Sequence, residues 1–155
     1  MSTRKNTPFN VTLLGVLLLL VLFTTSPQME GAFLFGQHLN RLTYHFYHAN
    51  IFHFLANAWA LWLMRPSFSD LAKAYPLAVI ASLFALQPTI GFSAIIYAYI
   101  GLNIIRWKVS LVDWGVFITA NLITLFIPNI AFGVHFAAFT LGITTWKIKN
   151  SLKKT

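Results

Sequence analysis

The side chains that could carry chemistry fall at a few short spacings. His48, His53 and Asn57 lie five and then four residues apart, Ser93 and Tyr97 are four apart, and His135 is followed at three and seven by Ala138 and Gly142. A spacing of four puts His53 and Asn57 on one helical face, and likewise Ser93, Tyr97 and Gly101. A hydroxyl, an imidazole able to take its proton, and further imidazole or amide donors are what a nucleophilic hydrolase needs: nucleophile, base and oxyanion donors. Read singly, each residue has a plainer role. A helical serine commonly bonds to its own backbone, and a lone histidine or asparagine often holds helices together. Their joint placement makes a shared site the better expectation.

The acidic residues narrow the chemistry. There are only three, Glu30, Asp70 and Asp113, and none stands where it would orient His135. A serine–histidine dyad is therefore expected in place of a triad. His48 and His53 are five apart, where the helical zinc-hydrolase motif needs four, and no glutamate base adjoins them. The chain has no cysteine, which excludes disulfides, thiolate nucleophiles and cysteine metal ligands. Neither a cofactor nor a metal is indicated.

The elements that must position these residues follow from composition. Of 155 residues, 57% are hydrophobic and 9% charged, where a soluble domain carries roughly 25% charged residues. This pattern predicts an all-α integral membrane protein, a single domain with six transmembrane helices. Apolar runs at Phe9–Thr25, Phe46–Met64, Leu71–Gln87, Phe92–Ile105, Val112–Ile127 and Ile130–Trp146 give a core over 9–147, with basic tails at 1–8 and 148–155. Pro66, Pro88 and Pro128 fall between runs, where helices break. Gly101, Ala138 and Gly142 would let the fourth and sixth helices approach closely.

The net charge of +8 would suggest nucleic acid in a soluble chain. Here the basic residues sit in tails and short loops, as the positive-inside rule produces, so no nucleic-acid partner is expected. An inside N-terminus places ten of the eleven basic residues inside and only Arg41 outside, with both termini cytoplasmic. Arg4 and Lys5 precede an apolar stretch as in a signal peptide. No small-residue cleavage site follows, so the first run is expected to be retained. His38 and His45 read as interfacial loop residues. Ser93, His53 and His135 would then lie on the order of 10 Å below the outer surface.

At these residues the sequence resembles the rhomboid intramembrane serine proteases. His48-Ala-Asn-Ile-Phe-His53-Phe-Leu-Ala-Asn57 is similar to the family's His-x4-His-x3-Asn pattern. Gly91-Phe92-Ser93-Ala94 with Tyr97 resembles its Gly-x-Ser-x motif and following tyrosine. His135 with Ala138 and Gly142 is similar to His-x2-Gly-x3-Gly. Ala94 and Ala138 stand where the family commonly has glycine. Leu39-Asn40 stand near the place of its Trp-Arg pair, with Arg41 offset by one.

The resemblance implies a minimal six-helix rhomboid bundle in which Ser93 is the nucleophile and His135 the general base and acid. It gives the oxyanion hole to His53, Asn57 and the Ser93 N–H, has Tyr97 packing on His135, and leaves Gly91 and His48 as supporting residues. It also implies a fifth helix that moves as a gate. The partners expected are transmembrane or membrane-proximal segments of other proteins and the lipid bilayer, for a monomer in a bacterial inner membrane. The alternative is a catalytically inactive rhomboid-like protein that binds or sorts transmembrane helices. Retention of all four polar site residues weighs against it. A proton pathway would need polar groups reaching both faces, whereas here the cluster gives way to Asn103, Asn121 and scattered hydroxyls.

Overall fold

Each helix of the chain starts or stops where its own residues dictate. The structure, a computed structural model, describes residues 11–15, 18, 40–86, 88–107, 109–124 and 131–153. The main helices are α1 (Ile51–Met64), α2 (Phe68–Ala81), α3 (Ser93–Asn103), α4 (Leu111–Thr124) and α5 (Phe132–Ser151). A short helix at Asn40–Thr43 and a 3-10 turn at Tyr44–Phe46 precede α1, and a second 3-10 turn at Ser82–Phe84 prolongs α2.

Local capping fixes the starts of α1, α2 and α4 and the end of α1. Asn50 is extended, and its Oδ1 accepts from the His53 N–H at 2.9 Å, so α1 opens at Ile51. Arg65 closes it in the left-handed region with φ 46°. Helices α2 and α4 open on the same Ser-x-x-Asp device. Ser67 Oγ donates to Asp70 Oδ2 at 2.7 Å and accepts from the Asp70 N–H at 3.2 Å, and Ser110 and Asp113 repeat the same distances. Two of the three carboxylates are therefore engaged in capping.

Helix α3 lies at the centre, packed along α5 and against α2. Its seam with α5 is made of small residues: Ala98, Ala138 and Gly142 are buried, and a Cβ on Gly142 would stand 2.5 Å from the Ala98 carbonyl oxygen. A Cβ on Gly101 would collide with the Phe139 carbonyl oxygen. Glycine at both places lets the backbones touch. Ala74, Ala78 and Ala81 do the same for α2, with Leu61 of α1 and Val134 of α5 fully buried beside them. Burying a Leu61-sized side chain contributes about 2 kcal/mol. Helix α4 joins the rest through rings, Phe117 lying 5.8 Å from Tyr97 and 5.1 Å from Phe139 between centroids.

The membrane reading is overturned. Among the described residues no helix is long and apolar enough to cross a membrane. Helices α1 and α2 have 14 residues each, the described part of α4 has 14 and α3 has 11, which is roughly 21 Å and 17 Å against a hydrocarbon core of about 30 Å. Helix α5 has 20 residues but extends past the expected Trp146 to Ser151, so Lys147 and Lys149 fall within it. The six-transmembrane-helix bundle, the multi-pass integral membrane assignment, and the bacterial inner membrane location with cytoplasmic termini are corrected accordingly.

The physical reason is that apolar runs do not coincide with unbroken helix. The run Phe46–Met64 is divided at Tyr47–Asn50, so His48 precedes α1 instead of lying within it. The run Leu71–Gln87 loses its end to the turn at Ser82–Phe84. Of the run Phe9–Thr25 only residues 11–15 and 18 are described, as helix. Glu30, His38, Pro128 and most of the loop that follows the first run lie outside the described residues. Many apolar side chains stay on the outside, Phe52, Trp59 and Leu63 of α1 among them.

Candidate active site

The close α3–α5 seam ends where Ser93 meets His135. Ser93 Oγ lies 2.7 Å from His135 Nε2, across 42 residues of sequence. Ser93 is the first residue of α3, so its N–H belongs to a turn that has no acceptor within the helix, at the positive end of the helix dipole. His135 sits in the first turn of α5 and is buried. Tyr97, one turn below Ser93, stacks on its ring with centroids 4.4 Å apart and planes 10° from parallel. Ala94 and Ala138 take the places where glycine was expected. Both methyls are buried in the core, and the serine–histidine distance is still a hydrogen bond.

Among the described residues no carboxylate orients His135. Its Nδ1 is buried without a hydrogen-bond partner among the described residues. Burial lowers its pKa from the ordinary 6.5 to about 4, with a smaller contribution from His53. The ring therefore rests neutral, with Nε2 able to accept from the Ser93 hydroxyl.

Gly91 connects α1 to this pair. Its φ of +123° suits glycine, and a Cβ there would lie 2.5 Å from His53 Cε1 and 2.7 Å from His53 Nε2. Asn57 Nδ2 comes next, 3.7 Å from the same point, and it is buried with no acceptor among the described residues. One turn of α1 thus brings an imidazole and an amide against the backbone that leads into Ser93. His48 is buried with its ring edge-on to His53 at 5.2 Å and to Phe54 at 5.6 Å. Among the described residues no three histidine, cysteine, aspartate or glutamate side chains gather as a metal site.

Tyr44 is not singled out by the sequence, and Arg41 and Asn121 stand there without the supporting roles they take in the structure. The Tyr44 carbonyl accepts from the Gly91 N–H at 3.0 Å, and its hydroxyl donates to the Ala78 carbonyl at 3.3 Å. Arg41 is buried and donates from Nη1 to the Ser82 carbonyl at 2.8 Å and to Ser82 Oγ at 3.2 Å. Together they tie the segment before α1 to the end of α2 and to the approach to Ser93. His45, expected in an interfacial loop, is instead fully buried between Tyr44 and Tyr75, and burial takes its pKa down to about 3. Asn121 of α4 hydrogen-bonds Tyr97. The Ser-x-x-Asp spacing was readable in the sequence; no spacing marks Arg41 or Asn121.

No protein-family model matches this chain, and comparison with curated proteins finds no match to it.

Proposed function

We propose that the chain is a serine endopeptidase that works through a Ser93–His135 dyad. The observation that carries the proposal is the 2.7 Å contact between Ser93 Oγ and His135 Nε2, with Asn57 Nδ2, unpartnered among the described residues, beside the backbone leading into Ser93. Ser93 attacks a peptide carbonyl while its proton passes to His135 Nε2. The developing oxyanion is met by the Ser93 N–H at the start of α3, by Asn57 Nδ2 and by an N–H of His53. His135 then gives its proton to the leaving amine, and an acyl-enzyme ester remains. Water, deprotonated by His135, releases the acid and restores Ser93. Tyr97 holds the His135 ring by stacking on its face, where a triad's carboxylate would hold it through Nδ1.

The resemblance to rhomboid proteases supports the same roles and supplies the proposed substrates: transmembrane or membrane-proximal segments of other proteins. Cleavage of a fluorogenic apolar peptide is the test. The wild type should cut it, and Ser93→Ala and His135→Ala should both be inactive with unchanged helical circular dichroism. A folded wild type without activity on a panel of such peptides, while a known rhomboid protease cuts them, would favour the inactive helix-binding alternative.

A further inference from the structure

A cavity of about 140 Å³ opens at the end of the helix bundle remote from Ser93, between the start of α2, the end of α3 and the last turns of α5. Four cations line it: Lys73 from α2, Arg106 from the turn after α3, and Lys149 and Lys153 from the end of α5. Asp70 is the one carboxylate on its wall, and its Oδ2 already accepts from the Ser67 N–H at 3.1 Å and the Ser67 hydroxyl at 2.7 Å. Asp113 is held in the same way by Ser110 at the start of α4. The chain has one other acidic side chain, Glu30, which lies outside the described residues.

Four cations against the single negative charge of Asp70 leave the cavity net positive, and a further anion relieves their mutual repulsion. The carbonyl ends of α3 and α5 lie here and offset part of that charge. They line no more than two sides, and a dipole end does not require the cations to enclose a space. A ligand carrying its own negative charge and several acceptor oxygens satisfies both the charge and the shape.

We propose that this cavity binds a phosphate group, either free in solution or as the head of a phospholipid. Arg106 offers a planar fork to two oxygens, and the lysines add point charges that need no fixed direction. The volume is room for about four or five waters, which suits one phosphate; drug-sized ligands take roughly 300 Å³ or more. Trp146 on the wall gives the group an apolar flank. The site is separate from the Ser93–His135 pair and does not depend on the reading of that pair.

The purified full chain is titrated calorimetrically with inorganic phosphate, and in a second arm with phosphatidylglycerol vesicles against phosphatidylcholine vesicles. Lys73→Gln, Arg106→Gln and Lys149→Gln are compared with Lys147→Gln, which lies on the same helix but outside the cavity. All four positions are exposed, so the variants keep the fold. Inorganic phosphate should bind saturably, each cavity variant should weaken it by about tenfold, and Lys147→Gln should leave it unchanged. Phosphatidylglycerol binding that inorganic phosphate displaces identifies a lipid head as the source; phosphate binding without vesicle binding identifies the free anion. Absence of saturable binding in both arms overturns the proposal. So does a Lys147→Gln variant that weakens binding as much as Lys149→Gln.

Discussion

The two ends of the α3–α5 pair are built from opposite materials on one frame. At the Ser93 end the polar groups are neutral and buried: His135, His48 and Asn57 carry no charge and each keeps a polar atom without a partner among the described residues. At the other end, some 15 Å along α3, Lys73, Arg106, Lys149 and Lys153 are exposed and charged around an open cavity. The seam between the ends is alanine and glycine, which contribute contact and no chemistry. A nucleophile benefits from a low-dielectric setting, where oriented dipoles act strongly and a neutral imidazole can accept a proton. An anion site benefits from long-range charge, which burial would make costly. One helix pair can serve both only by keeping them apart.

The largest effect should come from breaking the neutral end. Ser93→Ala and His135→Ala should each lower kcat/KM on a cleaved peptide by about 10⁴-fold or more, with phosphate binding at the far end unchanged. Asn57→Ala should lower kcat by about 10²-fold with KM nearly constant, because the amide's partner exists only in the transition state. A rise in KM with kcat intact would instead make Asn57 a substrate-binding residue. Phosphate calorimetry and peptide kinetics on the same preparations measure both ends together.

Changing the seam should affect both ends at once. Gly142→Ala places a methyl 2.5 Å from the Ala98 carbonyl oxygen and 2.8 Å from the Leu102 nitrogen, which should cost about 1–3 kcal/mol of stability in denaturant unfolding. Activity should fall with it, since the same spreading lengthens the Ser93–His135 contact. If stability falls and activity does not, the seam does not position the pair.

Acidity should act on the neutral end alone. His135 works as a base only when unprotonated, and burial holds its pKa down at about 4. The acid limb of kcat/KM should therefore lie near pH 4, with rates level through pH 6.5 and dropping about tenfold per unit below the limb. A limb at the ordinary histidine value would mean that His135 is more hydrated than its burial implies. Circular dichroism at each pH separates this from unfolding, because protonating buried His45 and His48 opposes the folded state in acid. The smallest effect belongs to Lys147→Gln, which should change stability by no more than about 0.5 kcal/mol and leave both functions as they are.

Sequence spacing carried the local arrangement better than the larger one. The four-residue steps from His53 to Asn57 and from Ser93 to Tyr97 are helical in the structure and put each pair on one face. The small residues at 101, 138 and 142 lie in a close seam. Helix length was misread, because hydropathy reports which side chains avoid water and says nothing of where the backbone stops being helical. Asn50 and Ser67 decide that through side-chain hydrogen bonds, and an apolar window averages over them. In the sequence Arg41 stands as a lone outside charge. Its burial against Ser82 depends on two segments 41 residues apart, which no local pattern encodes. The cationic cavity was equally hidden, since its four cations looked like loop and tail charges until α2, α3 and α5 brought them together.

The proposed activation of Ser93 by His135 is the step on which the peptidase reading depends. It is tested most directly by treating the purified chain with a fluorophosphonate and mapping the adduct by peptide mass spectrometry. A single adduct on Ser93 is expected in the wild type, lost in Ser93→Ala and reduced to background in His135→Ala. An unlabelled wild type under conditions that label a known serine protease, or a Ser93 adduct that forms equally well without His135, would contradict it.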